Sequence, residues 1–255
     1  MEIIIGLLII AVGAFCQSSC YVPINKIKNW SWESYWIVQG VFAWLVFPFL
    51  GALLAVPDGH SLFEIYAAHP ADTLWAMFFG VLWGVGGLTF GLSMRYLGVA
   101  LGQSISLGTC AGLGTILTPI FTGHMEELTM PVIVGVIVTL LGIGIIGYAG
   151  NMKSASLSEE EKKKAVKDFN FTKGIFVALL AGFMSACFSI GLGFGQSLCF
   201  PESAEVYKTL PATLMVTAGG FLTNMVYCFY QYAKNKTWVD YGKTSLYVKL
   251  SLIHM

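Results

Sequence analysis

The chain has 255 residues, of which 56% are hydrophobic and only 11% charged. Soluble domains carry about 25% charged residues, so this composition cannot build a water-facing surface, and a soluble enzyme, a nucleic-acid binder and a disordered chain are excluded. The 14 basic and 14 acidic residues cancel to a net charge of zero, so total charge names no partner, although the placement of the charges is informative. Cys16, Cys20, Cys110, Cys187 and Cys228 lie in apolar runs and only Cys199 lies in a loop. That pattern is neither a disulfide framework nor a zinc site, and no cofactor is implied.

A membrane helix needs roughly 20 apolar residues to cross the hydrocarbon. In chain order the qualifying runs are Ile3–Pro23, Glu33–Val56, Thr73–Met94, Val99–Phe121, Met130–Ala149, Gly174–Phe194 and Leu210–Tyr232, and a further run begins near Tyr247. The first run has no basic leader and is too long for a signal peptide, so it reads as a span. Between the second and third runs, Leu62, Phe63, Ile65 and Tyr66 punctuate a polar stretch, which predicts a short helix lying in the membrane interface. The one long polar linker is 152–173, whose acidic start followed by lysines predicts a solvated helical connector.

Lys208 alone lies in a loop on one side of these spans; every other Lys and Arg falls in loops on the opposite side. The positive-inside rule makes the basic loops cytoplasmic and sets the N-terminus outside. An odd number of spans before the linker inverts whatever follows it. Ser18-Ser19-Cys20-Tyr21 in the first run parallels Ser185-Ala186-Cys187-Phe188 in the sixth. The expected architecture is therefore an all-α polytopic membrane protein, an inverted repeat of five-helix units. The first repeat is 1–151, the cytoplasmic linker 152–173, and 174–255 holds two spans and the start of a third, a second unit that looks truncated.

No Asp, Glu, Lys or Arg lies in the middle of a run, where it would cost about 2.5–3.5 kcal/mol. Hydrolase and phosphate-binding motifs are missing too, so enzyme chemistry is not expected. The polar groups within the runs are neutral, among them Gln17, Gln39, Thr89, Gln103, Ser106, Thr109, Ser185, Ser189 and Asn224, accompanied by Tyr21, Trp36, Trp44, Trp75 and Trp83. Amides, hydroxyls and aromatic faces together suit a neutral polyol such as a sugar. The ordinary alternative is interhelical hydrogen bonding for Ser and Thr and an interfacial belt for Trp and Tyr. Substrate candidates are Gln17, Tyr21, Gln39, Trp83, Thr89, Gln103 and Ser106, with an amide the more demanding group because it has four hydrogen-bonding positions to satisfy. Gly80/Gly84, Gly87/Gly91, Gly98/Gly102 and Gly108/Gly112 repeat a spacing that lets helices approach closely. Asn29-Trp-Ser, Asn170-Phe-Thr and Asn235-Lys-Thr match the glycosylation pattern but fall on the basic, cytoplasmic side.

Two strings carry a resemblance. Lys26-Ile-Lys-Asn-Trp-Ser-Trp-Glu33 and Gly91-Leu-Ser-Met-Arg-Tyr-Leu-Gly98, supported by Phe169-Asn-Phe-Thr-Lys-Gly174, are similar to the L-rhamnose–proton symporter family of the drug/metabolite transporter superfamily. The likeness runs over essentially the whole chain, and it departs from the family pattern at Gly87 and Thr89, where span three otherwise carries asparagines. It implies ten spans, an inner-membrane location, and uptake of L-rhamnose with a proton by alternating access. A transporter of another small polar metabolite, or a truncated membrane protein that does not transport, are the alternatives. Coupling then needs a protonatable group. Glu33, Asp72 and His254 are the ionisable groups nearest the membrane interior. Glu33 ranks first because Trp30 and Trp32 beside it would shield its carboxyl from water; Asp72, next to Pro70, looks more like a helix cap.

Overall fold

The computed structural model describes residues 2–19, 30–156 and 168–242, and the side chains of Gln17, Ser18 and Ser19 are not among those described. Every regular element among the described residues is helical. In chain order they are α1 (Glu2–Ser19), α2 (Trp32–Leu53), α3 (Leu62–Ala68), α4 (Pro70–Leu97), α5 (Val99–Thr122), α6 (Met130–Ser156), α7 (Phe171–Phe194) and α8 (Leu210–Asn235). Six of them, α2 and α4 to α8, are long and apolar enough to cross a membrane; the described apolar part of α1 is the shorter Gly6–Cys16. The run beginning near Tyr247 and most of the linker lie outside the described residues.

Local chemistry accounts for the ends. A short helix, α3, does lie between the second and third runs, started by a capping box in which Ser61 and Glu64 satisfy each other's backbone. Burial of the Tyr66 phenol, whose hydroxyl donates to the Pro211 carbonyl at 3.0 Å, pushes its pKa up. Pro70 opens α4, where a missing N–H costs nothing, and Gly98 closes it with φ of 82°, a conformation that favours glycine. Asn170 caps α7 by accepting from the Lys173 N–H at 3.0 Å.

The chain divides into two compact units, Pro48–Asn224 and the described parts of Met1–Phe47 with Met225–Met255. In the larger unit glycines set the helix crossings. A Cβ on Gly80 would collide with the Val216 carbonyl, and one on Gly219 with that of Met77, so α4 and α8 meet backbone to backbone. Gly86 receives Ser185 of α7, Gly182 receives Ser106 and Thr109 of α5, and Gly108 and Gly112 receive Ile143 and Leu140 of α6. Gly87 and Gly91, further along the α4 stripe, face open space. The core beside these crossings is Ala76, Leu198, Ala212 and Val216, next to Phe79, Cys187 and Ile190. Ile137, Leu141 and Ile145 follow one another at four-residue spacing along α6 and are exposed, as a lipid-facing stripe is.

The smaller unit holds α1, the first half of α2 with a π-helical stretch at Val41–Val46, and the end of α8. Beyond α8, Lys236 takes φ of 55° and the chain turns into a single 3-10 segment, Thr237–Gly242. A left-handed lysine costs about 1–2 kcal/mol, so other contacts must hold this turn in place.

Candidate functional site

Those contacts converge on the first turn of α2. Glu33, its second residue, is buried, and its Oε1 accepts from Asn235 Nδ2 at 2.9 Å and Thr237 Oγ1 at 3.1 Å. Both donors belong to the Asn235-Lys-Thr triplet, and the strained Lys236 between them turns the two side chains onto one carboxylate. Asp240, on the same 3-10 segment, is 3% exposed. Its Oδ2 accepts from the Ser31 N–H at 2.9 Å, Ser31 Oγ at 2.6 Å and Ser34 Oγ at 2.9 Å. Ser31 is the N-cap of α2 yet makes no capping bond within its own helix. Asp240 takes that place and brings a negative charge to the positive end of the helix.

Aromatic rings enclose the cluster. Trp30 meets Tyr241 edge-on with ring centres 4.9 Å apart, and Tyr232 meets Trp238 at 4.9 Å. The Tyr241 hydroxyl donates to the Ser34 carbonyl at 3.0 Å. Burial is the main cause pushing its pKa up, so it stays a donor throughout the physiological range. The Trp30 Nε1 is buried without a hydrogen-bond partner. Chemically, two buried carboxyl groups each accept from neutral donors that lie about two hundred residues away along the chain.

Of the other ionisable candidates, Asp72 belongs to the larger unit. Asp72 is in the first turn of α4, but its N-cap is His69. Instead of capping, Asp72 Oδ2 accepts from Ser197 Oγ at 2.5 Å and lies 3.8 Å from His69 Nδ1. His254 and Tyr21 fall outside the described residues, as does the side chain of Gln17.

Of the remaining substrate candidates, Gln39 lies in the smaller unit and Trp83, Thr89, Gln103 and Ser106 lie in the larger. Gln39, in α2, has a buried Oε1 with no hydrogen-bond partner. On the same helix Trp32 stacks on Trp36 at 5.2 Å, and Trp36 meets Trp44 at 5.5 Å. Trp83 packs against Phe188 and covers Gly220. Thr89 Oγ1 donates to the Val85 carbonyl at 2.9 Å and to that of Gly86 at 3.1 Å, both in its own helix. Ser106 is buried, 3.3 Å from the Ser93 hydroxyl between α4 and α5. Gln103 is exposed.

Sequence reasoning missed Asp240, Ser31, Asn235, Thr237 and Tyr241. One signal was available, an acid set between Trp238, Val239 and Tyr241, which is an apolar neighbourhood for a charge.

Comparison with known proteins agrees with the apolar helices. Residues 1–252 match the family described as L-rhamnose-proton symport protein (RhaT). Proteins named L-rhamnose-proton symporter from Yersinia pestis bv. Antiqua (strain Antiqua) and Yersinia pestis (strain Pestoides F) are each 32% identical over 244 residues. These alignments cover 92% of this chain and 69% of each relative. The same values hold for the L-rhamnose-proton symporter of Yersinia pseudotuberculosis serotype O:3 (strain YPIII). No solved structure matches the chain. It is thus a multi-pass membrane transporter rather than an enzyme, and it belongs to the L-rhamnose-proton symport family.

Proposed function

We propose that the protein carries L-rhamnose, a neutral deoxy-sugar, inward across the inner membrane together with a proton. The family match over residues 1–252 is the observation that carries this reading. Transport proceeds by alternating access between inverted repeats, 1–151 and the part beginning at 174, joined by the linker 152–173. The basic loops set the N-terminus outside and bring the Glu33 end of α2 to the cytoplasmic side.

Sugar and proton fall to different residues. A sugar hydroxyl needs an acceptor that the protein has not already used, and Gln39 Oε1 is buried and unpartnered. Trp36 and Trp44 along the same helix offer apolar faces for the sugar ring. Thr89 and Ser106 spend their hydroxyls on helix carbonyls and on Ser93, which supports a packing role for both. The proton goes to Glu33, the buried carboxylate at the mouth of a span, in keeping with the functional use of ionisable groups there. Asp72 and His254 are the next residues to examine.

The test uses the chain reconstituted in lipid vesicles, as it stands and extended by the C-terminal part of its relatives. An inward proton gradient should drive labelled L-rhamnose above its outside concentration, and a protonophore should abolish that accumulation. Binding that ignores L-rhamnose, or accumulation indifferent to the protonophore, would contradict the reading.

A further inference from the structure

We infer that Asp240 is a positioning residue for proton coupling: by tying Ser31 and Ser34 to the Thr237–Gly242 segment, it holds Glu33 against Asn235 and Thr237. The inference rests on the reading that Glu33 is the coupling carboxylate. Glu33 lies between Ser31 and Ser34 in sequence, and Asp240 Oδ2 grips both, through one N–H and two hydroxyls. Tyr241 adds a fourth tie, to the carbonyl of Ser34. The turn carrying Glu33 is therefore anchored on either side of it to the segment that supplies Thr237 and follows closely on Asn235, the end of α8.

The anchoring is specific to a carboxylate. An N-cap serine ordinarily turns its oxygen toward the N–H groups of its own first turn, and Ser31 does not. Without the Asp240 carboxylate, the Ser31 and Ser34 hydroxyls, 2.8 Å apart, are left to bond each other within their own helix, and both ties to the segment are lost. The first turn of α2 then slips relative to Asn235 and Thr237, whose reach to Glu33 leaves little slack at 2.9 and 3.1 Å. A proton arriving on Glu33 converts Oε1 from an acceptor into a donor or a weaker acceptor and loosens those two bonds. The Asp240 anchor stays, so the turn keeps its register while the proton comes and goes.

The groups close to this site on the neighbouring elements are Cys228 and Tyr232 of α8 with Tyr241 of the segment. Exchange of sugar and coupling to protons can be separated by substitution here. In vesicles, Asp240→Ala should lower gradient-driven sugar accumulation about tenfold or more while leaving counterflow exchange within about twofold of the parent. Asp240→Glu, which retains the carboxylate, should recover part of the accumulation. Loss of exchange and accumulation in parallel, or accumulation equal to the parent, would overturn the inference. Should Asp240→Ala fail to fold, Ser34→Ala decides the matter by removing one donor. About a two- to fivefold loss of accumulation with intact exchange supports the inference, and an equal effect on both refutes it. Glu33→Gln separates the two claims. If it still accumulates sugar, the Glu33 reading fails and this inference with it; if it is uncoupled while Asp240→Ala stays coupled, only the role of Asp240 fails.

Discussion

Polar side chains are spent differently in the two units. In the larger one, several threonine hydroxyls turn back onto their own helices: Thr89 onto Val85, Thr115 onto Ala111, Thr122 onto Thr118 and Thr217 onto Thr213. Lipid offers no partner, so a hydroxyl on a spanning helix is satisfied by its own helix, or by a packed neighbour as Thr223 is by the Val81 carbonyl at 2.8 Å. Glycine then lets the backbones close on one another. In the smaller unit, Glu33 and Asp240 draw their donors from segments remote in sequence. The first arrangement holds a bundle together; the second joins distant segments through charge, and charge is what a proton can change.

The largest expected effect breaks the packing side of this comparison. Gly80→Ala drives a methyl into the Val216 carbonyl and should destabilise the protein by about 1–3 kcal/mol or more. Gly91→Ala, on the same stripe but facing open space, should be neutral or stabilise by about 0.5–1 kcal/mol because alanine suits a helix better. Thermal unfolding in detergent should show opposite signs for the same substitution; equal shifts would remove the distinction between packed and open glycines.

A smaller effect sharpens the division of polar roles. Gln39→Ala should weaken L-rhamnose binding about two- to tenfold, the scale of one net hydrogen bond. Thr89→Val should leave binding within about twofold, since it removes only a bond internal to α4. Isothermal titration with the sugar checks both, and the reverse order of effects would return Gln39 to packing.

The smallest effect concerns α3. The Ser61 backbone N–H, and after it the His60 side chain, hold the Glu64 carboxyl below its ordinary range. A lowered carboxylate contributes stability above its unfolded value, 4.5, and that contribution is lost as pH falls through and below it. Hydrogen-exchange protection factors at the start of α3 should therefore fall on acidification through this range, and constant protection would exclude the capping box as its cause. The group is exposed, so the change stays local.

These differences explain what could be read in advance. The spans were legible because an apolar run of membrane length has few other uses, and the runs from Glu33 to Tyr232 reappear as α2 and α4 to α8. The short helix α3 was legible from Leu62, Phe63, Ile65 and Tyr66. Glycine spacing was only half legible, because Gly80/Gly84 and Gly87/Gly91 share one pattern while only the first pair meets α8. The apolar neighbours of Asp240 marked it as an unusual acid, but its pairing was not legible: its partner Ser34 is 206 residues away in sequence, and nothing local at either end announces it. Asn235 and Thr237 were visible only as a glycosylation pattern, whereas their side chains meet the Glu33 carboxylate.

The most direct test of the account is whether Glu33 carries the proton. In weakly buffered vesicles, adding L-rhamnose outside should alkalinise the medium as protons enter with the sugar. Glu33→Gln should abolish this alkalinisation while labelled sugar continues to exchange across the membrane. Sugar-evoked proton movement that survives in Glu33→Gln would contradict the account.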